Sequence, residues 1–296
     1  MSLWHLPVAP ISAVRGAWEA AASMLFSNAI LDRGNSVQLQ GITAIVTGGG
    51  RGIGRAIGLR LASEGASVLV AARTAAQVQS VAQEIIAAGG RAAWVAADVA
   101  GESDCARIVE AAESKLGPVS ILVNNAGDYG PVKPVEEISP AEWDRVIAVH
   151  LRGAFLLTRL VLPGMYARGA GAILNISSLS AKAAFSWGSP YAAAKAGMLG
   201  LTRVAAAESA RKGVRVNAIC PGPVTETQMS KELGGKLALR MGVSADEELK
   251  GFLENILQGR GQTANEIAAA ALFLVSDQAS AITGQSLNVD GGMAFY

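Results

Sequence analysis

A chain of 296 residues with 51% hydrophobic and 17% charged residues is long enough to bury a large core and too apolar to be disordered. Its net charge of +1 leaves no electrostatic footprint for nucleic acid or an anionic membrane surface. Two cysteines, Cys105 and Cys220, make no disulfide framework, so a reduced, cytoplasmic setting is expected. No membrane span is expected, because the best apolar run, Ala154-Phe155-Leu156-Leu157, is cut by Arg159 and Pro163. No Lys or Arg precedes Arg15, so the start lacks the basic region of a secretory signal.

Residues 1–40 read as an N-terminal extension. Trp18, Ala22, Leu25 and Ala29 recur at helical spacing within Ala17 to Leu31, which predicts an accessory helix, with disorder as the alternative; Glu19 and Asp32 argue against a targeting role. The body, residues 41–296, opens with a short apolar strand, Thr43 to Val46, that runs into Thr47-Gly48-Gly49-Gly50-Arg51-Gly52-Ile53-Gly54. A helix with Ile57 and Leu61 on one face follows and stops at Gly65. Strand, glycine turn and helix make a phosphate cradle: glycine permits close backbone approach, and the helix N-terminus presents unpaired N–H groups to an anion. The spacing of Gly48, Gly52 and Gly54 is a relative of the usual dinucleotide fingerprint and not a copy of it.

The second strand, Ser67 to Ala72, ends without the acidic residue that would bind a ribose 2′-hydroxyl. Arg73 stands there instead, and Arg51 lies in the glycine turn; together they predict a preference for NADP(H) over NAD(H). One charged hydrogen bond contributes roughly 1.5–3 kcal/mol, or one to two orders of magnitude in affinity. A helix from Ala75 to Ala88 leads to a third strand, Ala92 to Ala97, which ends in Asp98-Val99. A further helix, Ser103 to Leu116, precedes a fourth strand, Ser120 to Val123, which ends in Asn124-Asn125-Ala126-Gly127.

Ser139-Pro140-Ala141-Glu142 is a capping box with Pro at the first helical position, and it opens a long apolar helix through His150, Phe155 and Leu160. The fifth strand, Ala172 to Ser177, delivers Ser178 to a sheet edge, and Pro190 opens a helix that carries Tyr191 and Lys195. Those two are i and i+4, neighbours on one helix face. A phenol beside an ammonium is a poised acid/base: at an ordinary pKa of about 10, only roughly one Tyr in a thousand is ionised at pH 7, and the fixed positive charge is expected to lower that value. Ser178 supplies a hydroxyl to orient a substrate oxygen. A sixth strand, Val214 to Ile219, ends in Cys220-Pro221-Gly222-Pro223, and a seventh, Ser286 to Val289, precedes Asp290. Between them, residues 223–261 carry Met229, Leu233, Leu237 and Met241 at a spacing of four, read either as ordinary helix packing or as a lid over the substrate.

Strands alternating with helices predict an α/β fold, a Rossmann-type doubly wound parallel sheet in a single domain, with ligands at the carboxyl ends of the strands. The named motifs all sit at those ends. No metal site is assigned.

The motifs Thr47-Gly48-x-x-x-Gly52-x-Gly54, Asp98-Val99, Asn124-Asn125-Ala126-Gly127, Ser178, Tyr191-x-x-x-Lys195 and Pro221-Gly222, in that order, make residues 40–296 resemble the short-chain dehydrogenase/reductases, including the 3-oxoacyl-[acyl-carrier-protein] reductases. The resemblance implies that Tyr191 exchanges a proton with a carbonyl or alcohol oxygen, that Lys195 binds the nicotinamide ribose, and that Ser178 holds the substrate oxygen. It implies that Asp98 and Val99 flank the adenine, that Asn125, Ala126 and Gly127 line the cofactor cleft, and that Pro221, Gly222 and Val224 border the nicotinamide. It also implies a homotetramer or homodimer built through two long helices.

Two departures stand out. His150 occupies the place of an Asn that completes a proton relay with the catalytic lysine, and an imidazole of ordinary pKa would titrate in the working range. Glu226 stands where a threonine usually contacts the nicotinamide amide, with Thr225 and Thr227 on either side. The expected activity is hydride transfer between a nicotinamide and a ketone or secondary alcohol. A 3-oxoacyl thioester reductase, or a non-catalytic NADP-binding sensor, is the alternative. For a hydroxy-acid substrate, Lys182 is the one evident cationic partner.

Overall fold

The computed structural model describes residues 38–295. The expected helix at Ala17 to Leu31 lies outside the described residues. Among those described, seven parallel strands form one sheet in the order β3-β2-β1-β4-β5-β6-β7. They are β1 (Thr43–Thr47), β2 (Ser67–Ala72), β3 (Arg91–Ala96), β4 (Val119–Asn124), β5 (Gly171–Ile176), β6 (Val214–Pro221) and β7 (Ser286–Val289). The order reverses between β1 and β4, so the crevice above those two strands is the topological switch point, where open α/β sheets take their ligands.

Side chains alternate across each strand, and that alternation builds two cores. Ala44, Val46, Val68 and Val70 face one side, where they pack against α1 (Gly52–Ser63), α2 (Ala75–Ala87) and α9 (Ala264–Val275) through Ile57, Leu61, Val81, Ile85, Ile267 and Leu272. Ile45, Leu69, Leu122 and Ile173 face the other side, against α3 (Glu102–Leu116) and α5 (Gly153–Arg168) through Ile108, Leu157, Val161 and Met165.

The long helix opened by the Ser139 capping box is not uniform. It runs as α4 (Pro140–Ile147), a π-helical turn (Ala148–Arg152) and then α5, with Pro163 inside α5 and not at its end. The run Pro140–Arg168 is therefore the one helix among the described residues long and apolar enough to cross a membrane, contrary to the expectation that Arg159 and Pro163 interrupt it. It is a core helix: Leu156, Leu157, Val161 and Met165 are buried beneath it. The remaining helices are α6 (Ser189–Ser209), α7 (Gln228–Met241) and α8 (Ala245–Leu253).

The close approach of α1 to β1 requires a residue without a side chain at Gly54. A Cβ there would stand 2.3 Å from the Gly48 carbonyl oxygen and 2.5 Å from the Asn125 side-chain nitrogen. Gly54→Ala is expected to lower the unfolding free energy by about 2 kcal/mol, within the usual range for overpacked sites. Chemical denaturation of both proteins checks this, and an unchanged midpoint would show that the turn can re-form around a methyl group.

Candidate active site

The ends of β1 and β4 converge because the two loops that follow them are tied together. The Thr47 hydroxyl donates to the Val123 carbonyl at 3.2 Å and accepts from the Asn125 and Ala126 N–H groups at 3.0 and 3.1 Å. The Asn125 side-chain nitrogen donates back to the Thr47 carbonyl at 2.8 Å. The glycine turn after β1 and the Asn125-Ala126-Gly127 loop after β4 thus form one floor. Gly48 and Gly52 hold positive φ of 63° and 53° in that turn, a conformation glycine adopts without cost.

Helix α1 starts above this floor with no side-chain cap at Arg51 and no acidic residue in its first turn. Its free N–H groups and positive dipole end suit a phosphate, so the cradle fits the pyrophosphate of a dinucleotide. Arg73 is exposed at the end of β2, with no side-chain hydrogen bond or ion pair among the described residues. Arg51 is also exposed, and its guanidinium donates to Gln228 of α7. Asp98 is part-buried and accepts from the Ala100 N–H at 3.0 Å, while Val99 is buried against Gly153.

A cavity of about 840 Å³ opens beside the cradle, and Ile53, Asn125, Gly127, His150, Ser178, Tyr191, Lys195, Pro221, Gly222, Val224 and Thr225 all line it. A buried polar chain anchors the helix that carries Tyr191 and Lys195. Asn124 of β4 donates to the Asn175 side chain at 2.9 Å, Asn175 donates to the Thr202 hydroxyl of α6 at 2.9 Å, and Ser177 donates to the Lys195 carbonyl at 2.9 Å. Ser178 caps the turn after β5, its hydroxyl accepting from the Ser180 N–H at 3.1 Å.

In this dry cluster burial outweighs charge attraction. The Tyr191 hydroxyl is pushed up to about 12, mainly by burial, with a hydrogen-bonding interaction from Ser178 pulling it partly back. Burial brings Lys195 down to about 7; its Nζ donates to the Ile176 carbonyl at 2.6 Å and lies 5.5 Å from the Tyr191 ring centre. Burial therefore outweighs the lowering of Tyr191 expected from Lys195, which at about 7 is only part-protonated near neutral pH.

His150 corrects a second expectation. It is carried on the π-helical turn and buried at 3% exposure. Burial first, then the nearby Lys195, push it down to about 3, so it is neutral across the working range and does not titrate there. Its Nε2 lies 2.7 Å from the Asp128 carbonyl oxygen. A carbonyl only accepts, so Nε2 carries the proton and Nδ1 is an acceptor, buried without a partner among the described residues. Gly127 makes room for the ring: a Cβ there would stand 2.0 Å from His150 Cε1.

The ambiguous positions differ in their hydrogen bonds, though Thr225 and Thr227 both line the cavity. Glu226 accepts from the Ala264 N–H at 2.7 Å, the first turn of α9, and so serves that helix. Thr227 caps α7 and donates to the Val224 carbonyl at 2.9 Å. The Thr225 hydroxyl has no hydrogen bond among the described residues, and the residue faces the cavity. Lys182 does not line the cavity; its Nζ is tied to the Ser286 carbonyl and the Asn288 side chain at 3.1 and 2.7 Å.

Sequence reasoning missed Tyr129, whose ring stacks on Tyr191 at 4.8 Å, and the aromatic wall of Phe185 and Trp187. The position of Tyr129 just past the Asn125-Gly127 loop was the available signal.

The profile of the short chain dehydrogenase family matches residues 42–238. The chain belongs to that family. It is 37% identical over 259 residues to 2-(S)-hydroxypropyl-CoM dehydrogenase 3 of Xanthobacter autotrophicus, covering 87% of this chain and 98% of the relative. It is also 37% identical to D-beta-hydroxybutyrate dehydrogenase of Cupriavidus necator over 257 residues, or 86% and 98%. Among solved structures, an actinorhodin polyketide ketoreductase variant with NADPH superposes with a TM-score of 0.83 at 35% identity, covering 86% of this chain and 98% of that one. As a short chain dehydrogenase the protein is a nicotinamide-dependent oxidoreductase that moves a hydride between ketone and alcohol.

The shift of Lys195 has a measurable consequence. The unfolded chain keeps a proton on Lys195 up to about pH 10.5, and the folded protein releases it near 7. Between those values the unfolded state binds more protons, so stability rises with pH. The thermal midpoint of the cofactor-free protein is expected to climb from pH 7 towards 10 by this contribution, and Lys195→Met should flatten the slope; equal slopes in both proteins would contradict the assignment.

Proposed function

We propose that this dehydrogenase prefers NADP(H) and that Tyr191 is its acid/base. The observation that carries the reading is the convergence of Ser178, Tyr191 and Lys195 on one cavity beside a helix N-terminus left open for phosphate. Gly48 to Gly54 would hold the pyrophosphate, Asp98 and Val99 the adenine, and Asn125 to Gly127, Pro221 to Val224 and Thr225 the nicotinamide end. Arg73, unpaired among the described residues, and Arg51 would meet a 2′-phosphate.

When bound, the nicotinamide supplies or accepts the hydride. In reduction, ketone, NADPH and one proton give the secondary alcohol and NADP⁺. The hydroxyl of Tyr191 would hold that proton for the carbonyl oxygen; burial keeps the phenol protonated at neutral pH, and the hydrogen-bonding interaction with Ser178 pulls its pKa back towards the range in which it can donate. Ser178 orients the same oxygen, and the neutral His150 presents Nδ1 as a fixed acceptor behind Tyr191, its ring edge-on to the tyrosine at 5.3 Å.

The carrier-protein reading has less support. Arg240, a cation beside the cavity that an acidic carrier could meet, is paired with Glu137 at 3.1 Å and lies over the Trp187 ring. Phe155 and Val204 are exposed apolar residues on the two long helices, as a homodimer or homotetramer would use them. Both cysteines are free and buried, which fits a reducing cytoplasm.

Tyr191→Phe is expected to lower turnover by roughly 10²- to 10⁴-fold while keeping dinucleotide affinity, read by steady-state kinetics and fluorescence titration of NADPH. An active Tyr191→Phe enzyme would sink the acid/base role, whereas unaltered protein that binds NADPH without turning over any ketone would make the non-catalytic sensor the better account. Arg73→Ala should cut the ratio of kcat/KM for NADPH over NADH by about tenfold or more; an unmoved ratio would show that Arg73 does not read the 2′-phosphate.

A further inference from the structure

We infer that the substrate is an uncharged, largely apolar ketone or secondary alcohol, and that anionic carbonyl compounds are excluded. This deepens the proposed function and rests on the same cavity being the substrate site.

The lid stripe supplies the apolar wall. Met229, Leu233, Leu237 and Met241 of α7 all line the cavity, facing Phe185 and Phe252, whose rings lie 6.2 Å apart. These four residues do not pack α7 onto the body; Ala238 is its one buried residue. Their spacing of four therefore serves the cavity, where an apolar ligand removes their surface from water.

Charge decides the class. The lining residues include three carboxylates, Asp246, Glu247 and Glu248, against two amines, Lys195 and Lys231. Lys195 is buried and tied to the Ile176 carbonyl; Lys231, Asp246 and Glu247 are exposed, which leaves Glu248 as the part-buried carboxylate of the lining. Glu248 is half-buried against α7, where a Cβ on Gly234 would stand 3.2 Å from its Oε2. The N-terminus of α8 at the same rim offers no anion cradle, because Glu247 accepts from the Ser244 N–H and hydroxyl at 2.9 and 2.8 Å. An entering carboxylate would lose its water without gaining a dedicated cation and would pass like charges on the way.

The test pairs two ketones that share a ring and a reacting carbonyl, 4-methylcyclohexanone and 4-oxocyclohexanecarboxylate, with the full-length protein and NADPH. The expected kcat/KM favours the neutral ketone by about 100-fold, and a second fused ring (2-decalone) should raise it further. Equal values, or a preference for the carboxylate, overturn the inference. Glu248→Lys, checked for an unchanged thermal midpoint, should narrow the ratio by about tenfold, and a folded variant with the original ratio counts against the charge argument. A binding arm separates this from failure of the acid/base reading. Calorimetric titration of both ketones into Tyr191→Phe protein holding NADP⁺ should show tighter binding of the neutral one, whatever the turnover. Tighter binding of the carboxylate, or binding of neither, overturns it.

Discussion

The Thr47 hydroxyl ties the end of β1 to the end of β4, and the site is built outward from that junction. Through one donated and two accepted hydrogen bonds it joins the glycine turn to the Asn125 loop across the point where strand order reverses. A buried hydroxyl with several partners is costly to displace, so the floor of the crevice is rigid. The Asn124–Asn175–Thr202 chain then carries that rigidity across β5 into α6. Helix α6 is thereby held by polar groups inside an otherwise apolar core, with Asn124 Oδ1 the one atom of that chain left without a hydrogen bond among the described residues.

Dryness sets the electrostatics of this cluster. Tyr191, Lys195 and His150 are all 9% exposed or less, and each is driven towards its neutral form. Lys195, at about 7, keeps part of its charge near neutral pH, and that charge reaches His150 as well as Tyr191. The π-helical turn belongs to the same economy of space: one extra residue in the helix directs His150 inward, and Gly127 leaves it room.

The wall opposite the cluster differs in kind. It comes from α7 and α8, two helices outside the sheet's layers, fastened at one corner by Arg240 between Glu137 and Trp187. Elements with few buried side chains have low local stability, and Ala238 is the buried residue of α7.

By itself the sequence determined the seven strands, their parallel alternation with helices, the glycine turn and the residues Ser178, Tyr191 and Lys195. Each is local: strand and helix periodicities, caps such as Ser139 and Ser244, and an i, i+4 spacing need no knowledge of distant chain. The tertiary structure alone decided what those residues experience. Whether Lys195 charges Tyr191, whether His150 titrates, whether Glu226 or Thr225 faces the cavity, and whether Lys182 is available all depend on partners up to about a hundred residues away, such as Ser286 for Lys182. Periodicity shows which face of a helix is apolar, but only packing shows whether that face meets a core or, as with Met229 to Met241, a cavity. Desolvation and hydrogen-bond pairing are properties of the assembled surroundings, and the order of residues does not contain them locally.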